Sequence, residues 1–270
     1  MLVRTWNVFH GNTKPPQRRA FLEEMIRLVT RDRPGVLCLQ EVPAWALGKL
    51  AVWSGMREFG DVAAPPSLGP LPAPARVGQA VTSLHHGVFR SAFEGQANAI
   101  LLSRELRPLS HEAITLNPRR FRREQARWLG LGAIARLAWG KERRICQAVR
   151  FGERGGRTVV VANLHATSYP ADRRLADAEL LRAAVFADGI ARHEDVCVLA
   201  GDFNIKIGES QTLARLASDE WGFAPAADRG IDHVLVRGAS ASELRRWPET
   251  RRRVEGRLLS DHAPVEVHLR

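Results

Sequence analysis

Residues 199–204 read LAGDFN, a carboxylate and an amide at the end of an apolar run. The preceding DVCVLAG has the apolar, partly β-branched character of a buried strand. Gly201 permits a sharp exit from it, and on extended backbone Asp202 and Asn204 point the same way. The plain reading of such a pair is a turn. The arrangement recurs, however. Asn7 ends the run TWN, Glu41 lies in LCLQEV, and His165 in VANLHAT. Asp232 opens IDHVLV, and Asp261 and His262 stand in SDHAPVEV before a last strand. Taken singly, Asn7 satisfies a loop, Glu41 caps a helix, and Asp232 or Asp261 makes a turn. Taken together they read as one pocket at strand ends, where sites are commonly built on a rigid sheet.

The residue types define a chemistry. Glu41, Asp202 and Asp261 offer hard carboxylate oxygens, which suit Mg²⁺ or Mn²⁺ better than zinc. Asn7 and Asn204 offer neutral carbonyls and N–H donors that hold a metal or a phosphate oxygen without added negative charge. His165 and His262 exchange protons near neutral pH, and a carboxylate beside either would fix its tautomer. Such a set fits hydrolysis of a phosphate ester: a metal, an activated water, and donors for the developing charge.

The elements that must position these groups alternate. LVRTWNV, GVLCLQEV, GVFRSAF and NAILLS read as strands, and residues 17–31, 43–56 and 172–193 as helices, with Pro43 at a helix start. Residues 64–82 are rich in Pro and Gly and read as a surface loop. RICQAVRF and RTVVVANLHA flank GERGG, a hairpin signal. Residues 118–144 form an arginine-rich insert in which PRRFRREQARW reads as a basic helix face, and LGLGAIARLAWG fits helix or strand. The alternation predicts an α/β domain, and the hairpin argues against a purely parallel sheet. One domain over residues 1–270 is expected.

The 270 residues carry a formal charge of +11, nearly all from arginine, since Lys14, Lys49, Lys141 and Lys206 are the only lysines. A positive field attracts phosphate esters and polyanions. No apolar run is long enough to span a membrane. The first residues look like a strand rather than a secretory signal, and Cys38, Cys146 and Cys197 read as buried free thiols; together these predict a cytoplasmic protein. A monomer is the default expectation.

In their order and spacing, TWNVFHGN, CLQEV, NAILLSR, NLHAT, GDFNI, IDHVLV and SDHAPVEV resemble the endonuclease/exonuclease/phosphatase superfamily, the DNase I-like phosphoesterases. The resemblance spans residue 5 to residue 267. It implies a four-layer α/β/β/α sandwich of two mixed β-sheets, an α+β arrangement, with the site at one edge. It implies that Glu41 is the principal metal carboxylate, that Asn7 lies beside the metal, and that Asp261 is a further metal-site carboxylate. Asp202 corresponds to the group that activates water and Asn204 to the amide that contacts phosphate. His262, partnered by Asp232, corresponds to the histidine at the reacting phosphate. His165 matches the histidine of the nuclease and sphingomyelinase-like branches, and Asn98 matches a polar position near phosphate or His165.

These readings predict a Mg²⁺- or Mn²⁺-dependent phosphoric ester hydrolase, of nuclease type, acting on DNA or RNA. The rivals are a phosphatase or phosphodiesterase for small molecules or lipid headgroups, such as an inositol phosphate or sphingomyelin, and a noncatalytic binding module. If the insert covers the site, Arg119, Arg120, Arg122 and Arg123 could hold a phosphate backbone and Trp128 could stack on a base; otherwise the helix is a solvated face with Trp128 in the core. His10, His85, His86, His111, His193 and His268 match nothing in the pattern and read as surface or structural residues. His233 is expected to alternate away from Asp232.

Overall fold

The computed structural model describes all residues except 69–70, 73, 84–85, 87–92 and 225–229. His85 and most of the expected strand GVFRSAF lie outside the described residues.

Two sheets form the frame. The six-stranded sheet runs in the order β13 (Arg245–Arg246), β16 (Val265–His268), β1 (Leu2–Asn7), β3 (Val36–Pro43), β7 (Gln96–Leu102) and β4 (Arg57–Ala64). The five-stranded sheet runs β12 (Asp232–Arg237), β11 (Val196–Asp202), β10 (Thr158–His165), β9 (Ile145–Gly152) and β8 (Arg107–Thr115). Each sheet contains one parallel pair, β1 with β3 and β10 with β11, among antiparallel neighbours. A small sheet of β14 (Arg253–Val254), β15 (Arg257–Leu259) and β2 (Thr13–Lys14) and the hairpin β5 (Ser67–Leu68) and β6 (Leu71–Pro72) complete the strands.

The central strands are apolar on both faces because both faces are covered. Val3, Val36, Cys38 and Ile100 of one sheet meet Val149, Val161, Val198 and Val234 of the other. On the outer face of the six-stranded sheet, Trp6, Leu37 and Leu39 pack on Leu22, Met25, Ile26 and Val29 of the helix Leu22–Val29. On the outer face of the five-stranded sheet, Val160, Ala162 and Leu199 pack on Leu180, Ala183 and Ala187 of the helix Arg174–Ile190. Helix, sheet, sheet and helix are the four layers expected from the sequence.

The two sheets are also tied by polar contacts directly behind the site. Asn163 of β10 donates from Nδ2 to the carbonyls of Leu39 and Ala99 in the facing sheet, at 2.9 and 3.0 Å, and its Oδ1 accepts from Gln40 Nε2 at 2.6 Å. Buried amides are costly when unpaired, so this linkage favours one alignment of the sheets over slipped alternatives.

Several element boundaries differ from expectation. The helix expected over 17–31 is confined to Leu22–Val29, and 43–56 divides into a turn at Ala44–Ala46 and a helix at Leu50–Ser54. The Pro- and Gly-rich stretch 64–82 is not all loop, because a helix spans Ala75–Ser83. The insert forms two helices, Arg119–Trp128 and Ala133–Lys141. The RICQAVRF/RTVVVANLHA hairpin is present as β9 and β10, and all three cysteines are free and buried.

Candidate active site

The strand register brings the polar strand ends together. His165 of β10 is the cross-strand partner of Asp202 on β11, and Asp202 is the partner of Asp232 on β12. Asn7 ends β1 on the facing sheet, beside Gln40 of β3. A bulge between Leu39 and Val42 displaces Glu41, whose φ of 52° turns it out of the regular ladder. Asn204 also has a left-handed φ, 53°, a conformation that Asn tolerates better than most residues. Gly201 has φ 141°, and a Cβ there would lie 2.0 Å from the Leu164 carbonyl oxygen, so only glycine lets β11 pass β10 at this point.

Asn7 joins the two halves. Its Nδ2 donates to Glu41 Oε1 and to Asp202 Oδ2, both at 3.0 Å, while its Oδ1 accepts the Phe9 N–H at 3.0 Å. The Phe9 contact sets the amide's orientation, so Asn7 presents its nitrogen rather than its carbonyl to the carboxylates. Asn7 thereby braces Glu41 and Asp202 against each other. Ser260 fixes the same strand end by donating from Oγ to the Asn7 carbonyl at 2.7 Å.

Asp202 is 1% exposed. Burial, reinforced by the charge of Asp232, pushes its carboxyl up to about 7, against the pull of His262 and Asn7. Its Oδ1 accepts the Asn204 N–H at 3.0 Å, and the Asn204 side chain donates to the Ala166 carbonyl at 2.9 Å. The histidine His233 lies beneath this loop, with Nε2 2.8 Å from the Ile205 carbonyl and its ring against Phe203, away from Asp232 as the strand alternation requires.

Asp232 and His262 form a close pair, with Nδ1 2.9 and 3.1 Å from the two carboxylate oxygens. Burial acts to lower the His262 pKa, but the hydrogen bond and charge of Asp232 outweigh it and raise it to about 10. Asp202, Asp232 and His262 offer ligand atoms within 4.8 Å of one another.

Glu41 feels opposing influences. Burial alone would raise its carboxyl; the hydrogen bond and charge of His10, 3.2 Å away, hold it well below the usual carboxylate range. His10 is thus not a surface residue. It is buried, and its role was hidden because nothing in HGN distinguishes it from a loop histidine. His86 is buried too, against the His10 carbonyl at 2.7 Å, whereas His193 and His268 are exposed as expected.

His165 lies 3.6 Å from Asp202 and 3.8 Å from Glu41 through Nε2. Gln96 Nε2 approaches its Nδ1 at 3.0 Å, and Arg144 Nη1 lies 2.9 Å from Nδ1 and 3.1 Å from Nε2. Burial, and then the Arg144 guanidinium, lower the His165 pKa well below its ordinary value. His165 is neutral, and Arg144 is the cation at this end of the site. Nothing in the sequence singles out Arg144, which ends an arginine-rich insert whose other arginines are exposed or half-buried.

Three predicted groups lie apart. Asp261 is exposed and acts on His262 through its charge, with no hydrogen bond or ion pair to Glu41 or Asn7 among the described residues. Asn98 is buried and donates to the Ile145 carbonyl at 3.4 Å; it is Gln96, two residues earlier on β7, that reaches His165. Arg119, Arg120, Arg122 and Arg123 line a cleft of about 640 Å³ with Arg127, Arg136 and Trp139, and none of the clustered carboxylates or histidines contributes to it. The alternative that put Trp128 in the core is corrected: it is 81% exposed.

The Endonuclease/Exonuclease/phosphatase family profile matches residues 5–262. The chain belongs to this family. As a family member it is a phosphoesterase. A search of the curated proteins found no match. Among solved structures, an endonuclease/exonuclease/phosphatase from Beutenbergia cavernae is 18% identical, with TM-score 0.66 over 100% of this chain and 71% of that one. Humanized D. rerio TDP2 is 13% identical, with TM-score 0.63 over 100% and 98% of the two chains. A mannosyl-6-phosphatase from Bacteroides thetaiotaomicron is 15% identical, with TM-score 0.66 over 100% and 99%. At these identities the likeness is one of fold, and it agrees with the DNase I-like sandwich.

Proposed function

We propose that this member of the family is a divalent-metal-dependent phosphodiesterase of nuclease type, working as one domain through in-line attack of water. The observation that carries the reading is the convergence of Glu41, Asp202, Asp232 and His262 on one rim, with Asn7 hydrogen-bonded to two of the carboxylates. The donors fit a hard cation, being buried carboxylate oxygens with no thiolate among them. Glu41, ionised below the usual range, would hold Mg²⁺ or Mn²⁺ with help from Asp202. When bound, the metal neutralises charge on a phosphate oxygen.

The remaining steps belong to the chain. Asp202, with its pKa near neutrality, accepts a proton from the attacking water, and Asn204 directs a neutral amide toward phosphate. His262 carries its proton well above neutral pH and donates to a phosphoryl oxygen, oriented by Asp232 through Nδ1. Arg144 supplies positive charge at the opposite end, and neutral His165 fills the space between Arg144 and the carboxylates. The charge of +11 supports an extended polyanionic substrate such as DNA or RNA.

A second reading, a phosphatase or phosphodiesterase for a small or lipid-headgroup ester, is favoured by the arginine cleft sharing no residue with the catalytic cluster. The test is hydrolysis of single- and double-stranded DNA, RNA, bis-(p-nitrophenyl) phosphate and inositol phosphates with Mg²⁺, Mn²⁺ or chelator. Metal-dependent cleavage of nucleic acid that weakens steeply with salt supports the first reading, and a shallow salt dependence on a small ester supports the second. No hydrolysis of any ester would overturn both.

A further inference from the structure

The two helices of the insert carry a surface that the catalytic cluster does not explain. On the helix Arg119–Trp128, Arg119, Arg123 and Arg127 follow one another at four-residue spacing, so they share one face. Like charges at that spacing repel. Among the described residues these three arginines have no ion pair; the helix's one pair is Arg120 with Glu124 at 2.9 Å. The cleft between the helices holds six arginines and one glutamate. An anionic surface would relieve this repulsion.

The same hairpin exposes large apolar side chains. Trp128 is 81% exposed, and Ile134 and Leu137 are each 75% exposed. Only Val52, at 76%, is comparably bare among the described residues. Ile134 and Leu137 are three apart on the helix Ala133–Lys141, whose opposite side is buried through Ala135 and Trp139. Solvent exposure of three such side chains within ten residues is costly unless something covers them. A nucleic acid would satisfy the arginines and could stack on Trp128, but it offers nothing to Ile134 and Leu137. An anionic lipid surface satisfies both sets: phosphates for the guanidiniums, the acyl boundary for the aliphatics, and the interfacial region for an indole.

The hairpin is also fastened beside the catalytic rim. Trp139 Nε1 donates to Glu179 Oε1 at 2.6 Å, and the same carboxylate accepts from Thr167, two residues beyond His165. The strand that leaves the hairpin delivers Arg144 to His165.

We propose that the helical hairpin spanning 119–141 is an interfacial anchor that seats the protein on anionic lipid through Arg119, Arg123, Arg127, Trp128, Ile134 and Leu137. This bears on the second reading of the site, but its test reads partition rather than hydrolysis, so either can fail without the other.

The experiment is flotation of the full chain with phosphatidylcholine vesicles, with and without phosphatidylglycerol, and with duplex DNA as competitor. The chain should float with phosphatidylglycerol vesicles and not with phosphatidylcholine alone. Arg123→Glu with Arg127→Glu should weaken partition by at least about 20-fold, taking about fivefold for each arginine lost. Ile134→Ser with Leu137→Ser should weaken it by about tenfold. Because both aliphatics are exposed, the melting temperature of that double variant should match the parent, which separates loss of docking from loss of fold. Absence of vesicle binding, unchanged partition in the Ile134/Leu137 variant, or binding of DNA alone through the arginines would overturn the proposal.

Discussion

Arg144 Nη1 lies 2.9 Å from His165 Nδ1, both side chains buried at the end of β10. A guanidinium so placed makes a protonated imidazole unfavourable. We therefore expect His165 in the metal-free protein to titrate well below the ordinary histidine range. In Arg144→Met the midpoint should rise, while burial keeps it below 6.5. Imidazole NMR titration of the two proteins reads this directly, and an unchanged midpoint would contradict the assignment. A depressed histidine contributes stability that is present above 6.5 and is lost as pH falls, because the unfolded chain then takes a proton that the folded chain refuses.

His262 should behave in the opposite way. Its pKa is raised to about 10 by Asp232, so its contribution to stability is fully present below 6.5 and disappears as pH rises through about 10. Asp232→Asn should bring the His262 midpoint down by at least one unit in the same NMR titration. It should also slow hydrolysis by about 100-fold or more through loss of orientation and charge. A His262 midpoint left near 10 would mean that Asp232 is not its dominant partner.

The fold and much of this rim were legible in the sequence, because apolar strands ending in acids, amides and histidines are a local pattern. Glu41, His165, Asp202, Asn204, Asp232 and His262, which carry that pattern, lie close together. The contacts that tune them were not legible. His10, Gln96 and Arg144 arrive from a turn, a neighbouring strand and the end of an insert, and their closeness depends on strand register and on the Asn163 linkage between sheets. Asp261 illustrates the reverse. Its type fitted a metal ligand, but the turn before β16 leaves it exposed while its neighbour His262 points inward.

Gly201 is expected to be intolerant of any side chain. A Cβ would meet the backbone of β10 rather than a movable side chain. Gly201→Ala should destabilise the chain by about 2–4 kcal/mol in urea unfolding. It should also reduce hydrolysis, since the strands that must separate carry His165 and Asp202 as register partners. Parent-like stability would show that β10 and β11 are not held as closely as described.

Glu94 gives a prediction away from the chemistry. Burial pushes its carboxyl up to about 8, against the pull of Trp45. A raised acid favours the folded state below about 4.5, and this contribution is lost as pH rises through about 8. Glu94→Gln should therefore raise the melting temperature at pH 9 relative to the parent. The expected gain is at least about 2–4 °C, the shift for each kcal/mol in a chain of this size, with little difference at pH 4. Calorimetry at the two pH values decides it, and equal melting curves at pH 9 would contradict the burial assigned to Glu94.

Asp202→Asn probes the proposed base directly. The substitution keeps the size of the side chain and the contacts made through Oδ1, but removes the group that takes the proton from water. The measurement is the rate of metal-dependent hydrolysis of bis-(p-nitrophenyl) phosphate, alongside circular dichroism of the same sample. A loss of at least about 100-fold in rate with the fold retained is expected; a folded Asp202→Asn protein with full activity would show that Asp202 is not the base.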